Sequence, residues 1–206
     1  APFRRHQYGG AVGGAIKKDK TFFFTNYENL TEAKGLSFNS DTLSTNGHKG
    51  IICANSACSS TKQVAIDPRI KPYLTLYPFP NAGETGDSGK FAFDAVRLGD
   101  EKYVIGKIDH YFSQSTTLNG SYSFDDTTVT YPTVYDMKRG SAPTRRQTGL
   151  LSLQHIFSPT LINNTRVGIN RTRASNEVDC CATLPILGDT AFGFIPGRPV
   201  GTFAVT

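Results

Sequence analysis

Three short polar segments divide this sequence into pairs of longer segments in which polar and apolar residues alternate. The short segments are Lys17–Lys20, Ser113–Thr116 and Phe157–Thr160, and each lies between two stretches of strand-like composition. Strands separated by so few residues pair as antiparallel hairpins. The sequence therefore predicts three hairpins in one chain.

The hairpins are built from six predicted strands. We predict them at residues 5–16, 20–31, 101–113, 117–129, 145–157 and 161–174. The predicted fold class is all-β: an antiparallel up-and-down meander of about six long strands that forms part of a large outer-membrane β-barrel. Residues 1–206 would then be a partial barrel domain.

Alternation with a period of two sorts the strand residues onto two faces of the predicted sheet. The set expected to face lipid is Leu118, Tyr122, Phe124, Leu151, Leu153, Val167 and Ile169. The set expected to face an aqueous lumen is Lys107, Asp109, Asn119, Ser121, Ser123, Arg166 and Asn170. Charged residues belong to the second set because Lys or Arg at the lipid midplane costs roughly 2–4 kcal/mol.

Long irregular segments separate the hairpins. Residues 32–100, 130–144 and 175–206 are predicted loops, and the first is rich in Ser, Asn, Gly and Pro. Loops of such length are uncommon in a compact soluble domain. If the strands run up and down, every tight turn lies at one rim and every long loop at the other, which is typical of outer-membrane barrels.

Aromatic residues adjoin the tight turns, at Phe22–Phe24, Tyr111, Phe112 and Phe157. Such a cluster is typical of an aromatic girdle at a membrane interface. The alternative interpretation is a β-sandwich core packed at one end.

Composition limits the other classes of protein. The chain is 38% hydrophobic and has no Trp, one Met, 14 Phe and 9 Tyr. It lacks the roughly 18 consecutive apolar residues that a membrane helix needs, so any membrane role must use strands. The net charge of +5 comes from dispersed basic residues, and we expect no nucleic-acid partner. Ala1 is not preceded by a signal peptide and Thr206 ends a strand-like segment, so we expect a piece of a longer protein.

No motif indicates catalysis, a cofactor or a metal. Gly9–Gly14 lacks the spacing of a dinucleotide loop, and its small residues are expected to let a neighbouring backbone approach closely. The segment Gly83–Lys90 has a gap too long for a phosphate loop, and Phe91 follows it in place of Ser or Thr. The four histidines have no ligand spacing, and neighbouring acid–base pairs such as Asp109 and His110 point to opposite faces. We predict that the chain is not an enzyme.

The four cysteines all lie in predicted loops. Cys53 and Cys58 are close enough in sequence for a local disulfide, which is the favoured interpretation in an oxidising compartment. A zinc site that adds Cys180 and Cys181 is the alternative, but adjacent cysteines do not easily bind one tetrahedral ion. The sequence assigns no state to Cys180 or Cys181.

Several stretches together carry a family resemblance. Residues 2–28, from Pro-Phe-Arg-Arg-His-Gln-Tyr-Gly-Gly to Asn-Tyr-Glu, resemble Oar-like TonB-dependent receptors. Leu76–Asn81, Lys107–Ser113, Gly120–Phe124 and His155–Leu161 resemble later parts of that family, in the same order. The resemblance covers most of the chain.

The resemblance implies a bacterial outer-membrane transporter with a barrel of about 22 strands and an N-terminal plug. The implied partners are outer-membrane lipid, the plug and remaining strands of the same protein, TonB through the plug, and a scarce, bulky solute. That solute could be an iron chelate, cobalamin, an oligosaccharide or a peptide. The alternative function is a secreted glycan-binding β-sandwich, which predicts a closed core within this chain and aromatic residues on one polar face.

Overall fold

The computed structural model describes residues 2–179 and 184–200, and one antiparallel sheet dominates it. The strands are β1 (Phe3–Lys17), β2 (Thr21–Leu43), β3 (Ile51–Cys53), β4 (Thr61–Gln63), β5 (Glu84–Thr85), β6 (Ser88–Tyr111), β7 (Thr116–Pro132), β8 (Arg139–Ser158), β9 (Leu161–Ala174) and β10 (Glu177–Asp179). The helical elements are α1 (Thr45–His48), α2 (Lys71–Leu74) and 3-10 turns at Val134–Asp136, Pro185–Leu187 and Thr190–Phe192. Within the described ranges, no helix has the length and apolar character needed to cross a membrane.

The sheet is an up-and-down meander, as the sequence predicts. Its order is β1-β2-β6-β7-β8, with β9 and β10 both paired to β8 and β5 paired to β6. Every pairing is antiparallel, so the turns that join β1 to β2, β6 to β7 and β8 to β9 lie at one end of the sheet. In the described part of the chain, β1 pairs only with β2 and β9 only with β8, so the sheet is open at both edges.

The prediction that residues 32–100 form a loop is wrong at both ends. β2 continues to Leu43 and β6 begins at Ser88, and the two strands stay in register over this whole length. Phe38 stacks on Phe93 in this extension, with ring centroids 5.0 Å apart. Its residues keep the period-two alternation of a strand, which the abundance of Ser, Asn and Asp concealed.

The other two loop predictions also need correction. β7 reaches Pro132 and β8 begins at Arg139, which leaves a short connection in place of the predicted loop 130–144. Tyr131 is opposite Gly140 in this extension, and its ring occupies the space that a side chain at Gly140 would fill. The predicted loop 175–206 contains β10 and two 3-10 turns within the described residues.

Gly9 is required where β1 approaches β2. A Cβ atom at Gly9 would lie 2.3 Å from the backbone oxygen of Tyr27, whereas one at Gly10 would meet nothing within 4 Å. We therefore expect Gly9→Ala to lower the free energy of unfolding by about 1–3 kcal/mol, because β2 must shift to relieve the overlap. Gly10→Ala, the matched control, should change it by less than about 0.5 kcal/mol. Urea unfolding of both variants would measure the difference, and equal midpoints would contradict the close approach.

Candidate functional site

The strand register separates the predicted residues onto two faces. Directly opposed residues of an antiparallel pair share a face. One cross-sheet row on the apolar face consists of Val12, Thr25, Gly106, Tyr122, Gly149 and Ile169. The next row consists of Gly14, Phe23, Ile108, Gly120, Leu151 and Val167. All the residues expected to face lipid lie on this face, which we call the apolar face.

Among the residues that the structure describes, none forms a covering layer over the apolar face. Ile169 is 70% exposed, Val167 66% and Leu151 51%, while Leu118 and Phe124 are half-buried by their neighbours. The buried hydrophobic residues of the described chain are Ala95, Leu187 and Val200. A β-sandwich would have buried these apolar strand residues against a second sheet.

The residues expected to face a lumen all lie on the opposite face, the polar face. Lys107 is opposite Ser121, and Asp109 is opposite Asn119, whose Nδ2 donates a hydrogen bond to the carboxylate. Asn170 is opposite Thr148 and Arg166 opposite Ser152. Polar side chains are therefore matched to one another across several strands.

The aromatic residues beside the tight turns divide between the two faces. By the strand alternation, Phe23, Phe112 and Phe157 belong to the apolar face, whereas Phe22 and Tyr111 contact each other edge to face on the polar side. The prediction that all these residues form one aromatic girdle is therefore wrong, because they lie on two opposite faces of the sheet. Three consecutive Phe residues in a strand cannot share a face.

A repeated polar–aromatic pair marks the tight-turn end of the apolar face. His110 lies 4.4 Å from Phe112 and His155 lies 4.4 Å from Phe157, as measured between ring centroids. The Nδ1 atoms of the two histidines are 2.8 Å from the hydroxyls of Thr21 and Thr116, respectively, on the preceding strands. Each pair combines an apolar ring with a hydrogen-bonded one, a combination suited to an interface between lipid and water.

The loop end carries an aromatic cluster on the polar-face side of the β2–β6 hairpin. Phe91 stacks on Phe93 at 5.8 Å and meets the edge of Tyr135 at 6.0 Å. Tyr135 also contacts Tyr77 at 6.4 Å and donates a hydrogen bond to the backbone oxygen of Asp41. Burial raises the pKa of Tyr135 above its ordinary value, so this hydroxyl stays protonated.

Loops distant in sequence pack together beyond this cluster. Tyr73 stacks on Phe194 at 5.7 Å and donates a hydrogen bond of 2.8 Å to the backbone oxygen of Phe192. Lys138 donates a hydrogen bond of 2.7 Å to the backbone oxygen of Val200. Segments 44–87, 133–138 and 184–200 thus form a folded cap on the loop end, a feature that residue composition did not indicate.

Thr45 and Glu84 join the beginning and the end of segment 44–87 of this cap. The Thr45 hydroxyl and backbone N–H donate hydrogen bonds of 2.7 Å and 2.8 Å to the Glu84 carboxylate. These two bonds, the hydroxyl bond first, lower the pKa of Glu84 below its ordinary value. The carboxylate therefore remains ionised at neutral pH and accepts both bonds.

Cys53 and Cys58 form a disulfide in the cap, with Cα atoms 4.7 Å apart. Their sulfurs and the Asp87 carboxylate come within 4.8 Å of one another, but both sulfurs are bonded to each other and not free to ligate a metal. Cys180 and Cys181 lie outside the described residues. The predicted Cys53–Cys58 pairing is the one the structure contains. The alternative zinc set includes Cys180 and Cys181 and so lies partly outside the described residues.

Reduction should loosen the cap without unfolding the sheet. Closure of so short a loop stabilises by about 2 kcal/mol, and the Cys53 backbone N–H also donates a 2.8 Å hydrogen bond to Asp87. We expect faster hydrogen exchange in residues 50–64 after reduction and unchanged exchange in β7 and β8. The double variant Cys53→Ala/Cys58→Ala should match the reduced protein and show no response to reductant. Unchanged exchange in residues 50–64 would contradict this role.

The comparison with protein families agrees with the two-faced sheet. A family model described as "Outer membrane beta barrel domain" matches residues 1–204. No curated protein and no solved structure matches the chain.

Proposed function

Because the chain belongs to the outer membrane beta barrel domain family, we propose that it forms part of the barrel wall of a TonB-dependent transporter. This transporter takes up a scarce, bulky solute. The barrel-wall role and the location in the bacterial outer membrane follow from the family. TonB dependence and the class of solute are the proposed part. They are supported by the resemblance of residues 2–28, and of the later hairpins, to Oar-like receptors.

The separation of the two faces is the observation that carries the wall role. Aliphatic and aromatic side chains on one face suit hydrocarbon, while Lys107, Asp109 and Arg166 on the other suit a lumen filled with water or a plug. The two open edges require further strands, since backbone groups in hydrocarbon must be hydrogen-bonded. We expect those strands, and a plug that TonB contacts, to come from the same protein.

The cap supports a role in capturing a large solute. Tyr77 is 45% exposed and contacts Tyr135 of the aromatic cluster, and Phe79 is 60% exposed and lies against the ring of His48. Exposed rings held on a folded scaffold can pack against an iron chelate, cobalamin, an oligosaccharide or a peptide. We expect no catalysis here, and the exposure of the apolar face in the described residues argues against the secreted glycan-binding sandwich, which needs a closed core.

Uptake by cells is the test of transport. Cells that produce the complete protein would be offered a ferric chelate, cobalamin, an oligosaccharide and a peptide, each labelled, and compared with cells that lack its gene. We expect uptake of one class to require both the protein and TonB. If gene loss changes uptake of none of the four, or if uptake persists without TonB, the transport proposal fails while the wall role stands.

A further inference from the structure

A row of charged residues crosses the apolar face towards its loop end. Lys102, Asp126, Arg145 and Arg173 are directly opposed on β6, β7, β8 and β9, so their side chains share this face. Arg171 precedes Arg173 by two residues and therefore lies on the same side of β9. The row ends the apolar band at the rim that carries the long loops.

Positive charge exceeds negative charge in this row. The Arg145 guanidinium is paired with Asp126, with Nε–Oδ1 at 2.9 Å and Nη2–Oδ2 at 3.3 Å, and lies 5.4 Å from the centroid of the Phe124 ring. Among the described residues, Arg171 and Arg173 have no ion-pair partner. A cavity of ≈ 180 Å³ lies between Arg145, Arg173, Ser175 and Glu177.

Below the charged row, the apolar face is hollowed into a trough. Gly106, Gly120 and Gly149 carry no side chain on three neighbouring strands. A Cβ atom would meet nothing within 4 Å at Gly106, but it would lie 3.3 Å from Ile108 at Gly120 and 3.1 Å from Ile169 at Gly149. Tyr122, Leu151 and Ile169 are among the side chains that border the trough. The trough has a volume of ≈ 710 Å³ and is wide open to its surroundings rather than enclosed. Ile169 is four residues from Arg173 along β9, about 13 Å at the rise of a strand.

The distance and the chemistry match one molecule of lipid. A leaflet of hydrocarbon is about 15 Å deep, half of a bilayer core, so a chain that enters beside Arg173 reaches the trough before the midplane. The unpaired guanidinium groups suit a phosphate, which arginine binds through two parallel hydrogen bonds. Bulk zwitterionic lipid would not need the excess positive charge.

We propose that this face holds one phosphorylated, acylated lipid of the outer leaflet, with its phosphate at Arg171 and Arg173 and an acyl chain in the glycine-floored trough. The site depends on the barrel-wall role and on the loop end facing outward. It does not depend on TonB-dependent transport, so failure of uptake and failure of lipid binding are separate results.

Native mass spectrometry of the complete outer-membrane protein tests the headgroup site. The probes are diphosphorylated lipid A, the same lipid with both phosphates removed, and phosphatidylcholine. We expect Arg171→Gln/Arg173→Gln to weaken binding of the diphosphorylated lipid about tenfold or more. Arg146→Gln, the matched control beside Arg145 but on the polar face, should leave that binding within about twofold. Equal binding by the double variant and the parent, or an equal loss in the control, would overturn the site.

A second pair of variants tests the trough. Gly106→Ile should fill the trough. Gly10→Ile is the control, because it places the same side chain elsewhere on the apolar face. A Cβ atom at either position meets nothing within 4 Å, so neither substitution overlaps its immediate surroundings. We expect Gly106→Ile alone to weaken binding of the acylated probe and to spare that of its deacylated, phosphorylated headgroup. Heat-modifiable migration of every variant establishes that it is folded. Loss of a dimer in Gly106→Ile, without loss of lipid, would show that a second copy of the protein occupies the trough and would overturn the proposal.

Discussion

Leu151→Arg should destabilise the inserted protein by about 2–4 kcal/mol, whereas Leu150→Arg should cost less than about 1 kcal/mol. The two residues are neighbours in β8 and lie at nearly the same depth, midway between Arg145 and Ser158. Leu151 shares the apolar face with Gly120 and Val167, while Leu150 is opposite Ser121 and Gly168 on the polar face. We expect an arginine on the first face to meet hydrocarbon and an arginine on the second to meet the aqueous lumen.

Urea unfolding from phospholipid vesicles would measure this difference. Both variants carry the same new side chain, so secondary-structure propensity and size cancel between them. An equal loss of stability would show that the two faces meet the same environment, as they would in a soluble protein. A larger loss for Leu150→Arg would invert the assignment of the faces.

Residues 1–206 expressed alone with an export signal should fail completely to form a membrane-inserted monomer. Within residues 2–179 and 184–200, β1 and β9 each have a strand partner on one side only. Every unpaired backbone group in hydrocarbon costs several kcal/mol. Single-chain barrels of the outer membrane use at least about eight strands, more than the six long strands available here.

Heat-modifiable migration and protection from protease would report insertion of this segment. The complete protein, treated in parallel, is the control and should show both properties. A stable, protected monomer of residues 1–206 would mean that the edges close on each other, and the open wall described above would then be wrong.

The sheet was predictable from the sequence because its signals are local. Polar turns such as Ser113–Thr116 and the alternation from Leu118 to Phe124 fix the pairing and the faces of the central strands. A shift of one residue would exchange the two faces, so alternation excludes odd shifts, and the short turns restrict the register of each hairpin further. β9 has the predicted bounds, from Leu161 to Ala174.

The loop end was less predictable because its contacts join distant segments. Tyr73 meets Phe192 and Phe194 across more than a hundred residues, and no local pattern signals such pairing. The parts of β2 and β6 nearest the loop end did show strand alternation in the sequence, since Phe38, Phe91 and Phe93 all lie on one face. The Ser, Asn and Asp residues between them gave these parts of the strands a composition typical of a loop.

The distribution of the β9 arginines between the two faces of the sheet was only partly predicted from the sequence. Arg166 was assigned to the lumen by its parity, but Arg171 and Arg173 have the opposite parity and lie on the apolar face. Their position relative to the apolar band depends on the register with β8, which places Arg173 beside Arg145. The sequence alone predicts which face of β9 these residues share, but it does not predict which residues of β8 lie opposite them.

Quenching of single tryptophans by brominated lipid tests the two-faced wall most directly. The chain has no Trp of its own, so substitutions at Arg166, Val167, Ile169 and Asn170 each add one new signal within it. In the complete protein, inserted in vesicles, Trp at 167 and 169 should be strongly quenched and Trp at 166 and 170 weakly quenched. Quenching that does not alternate along β9, or that alternates in the opposite sense, would contradict the assignment of the apolar face to lipid.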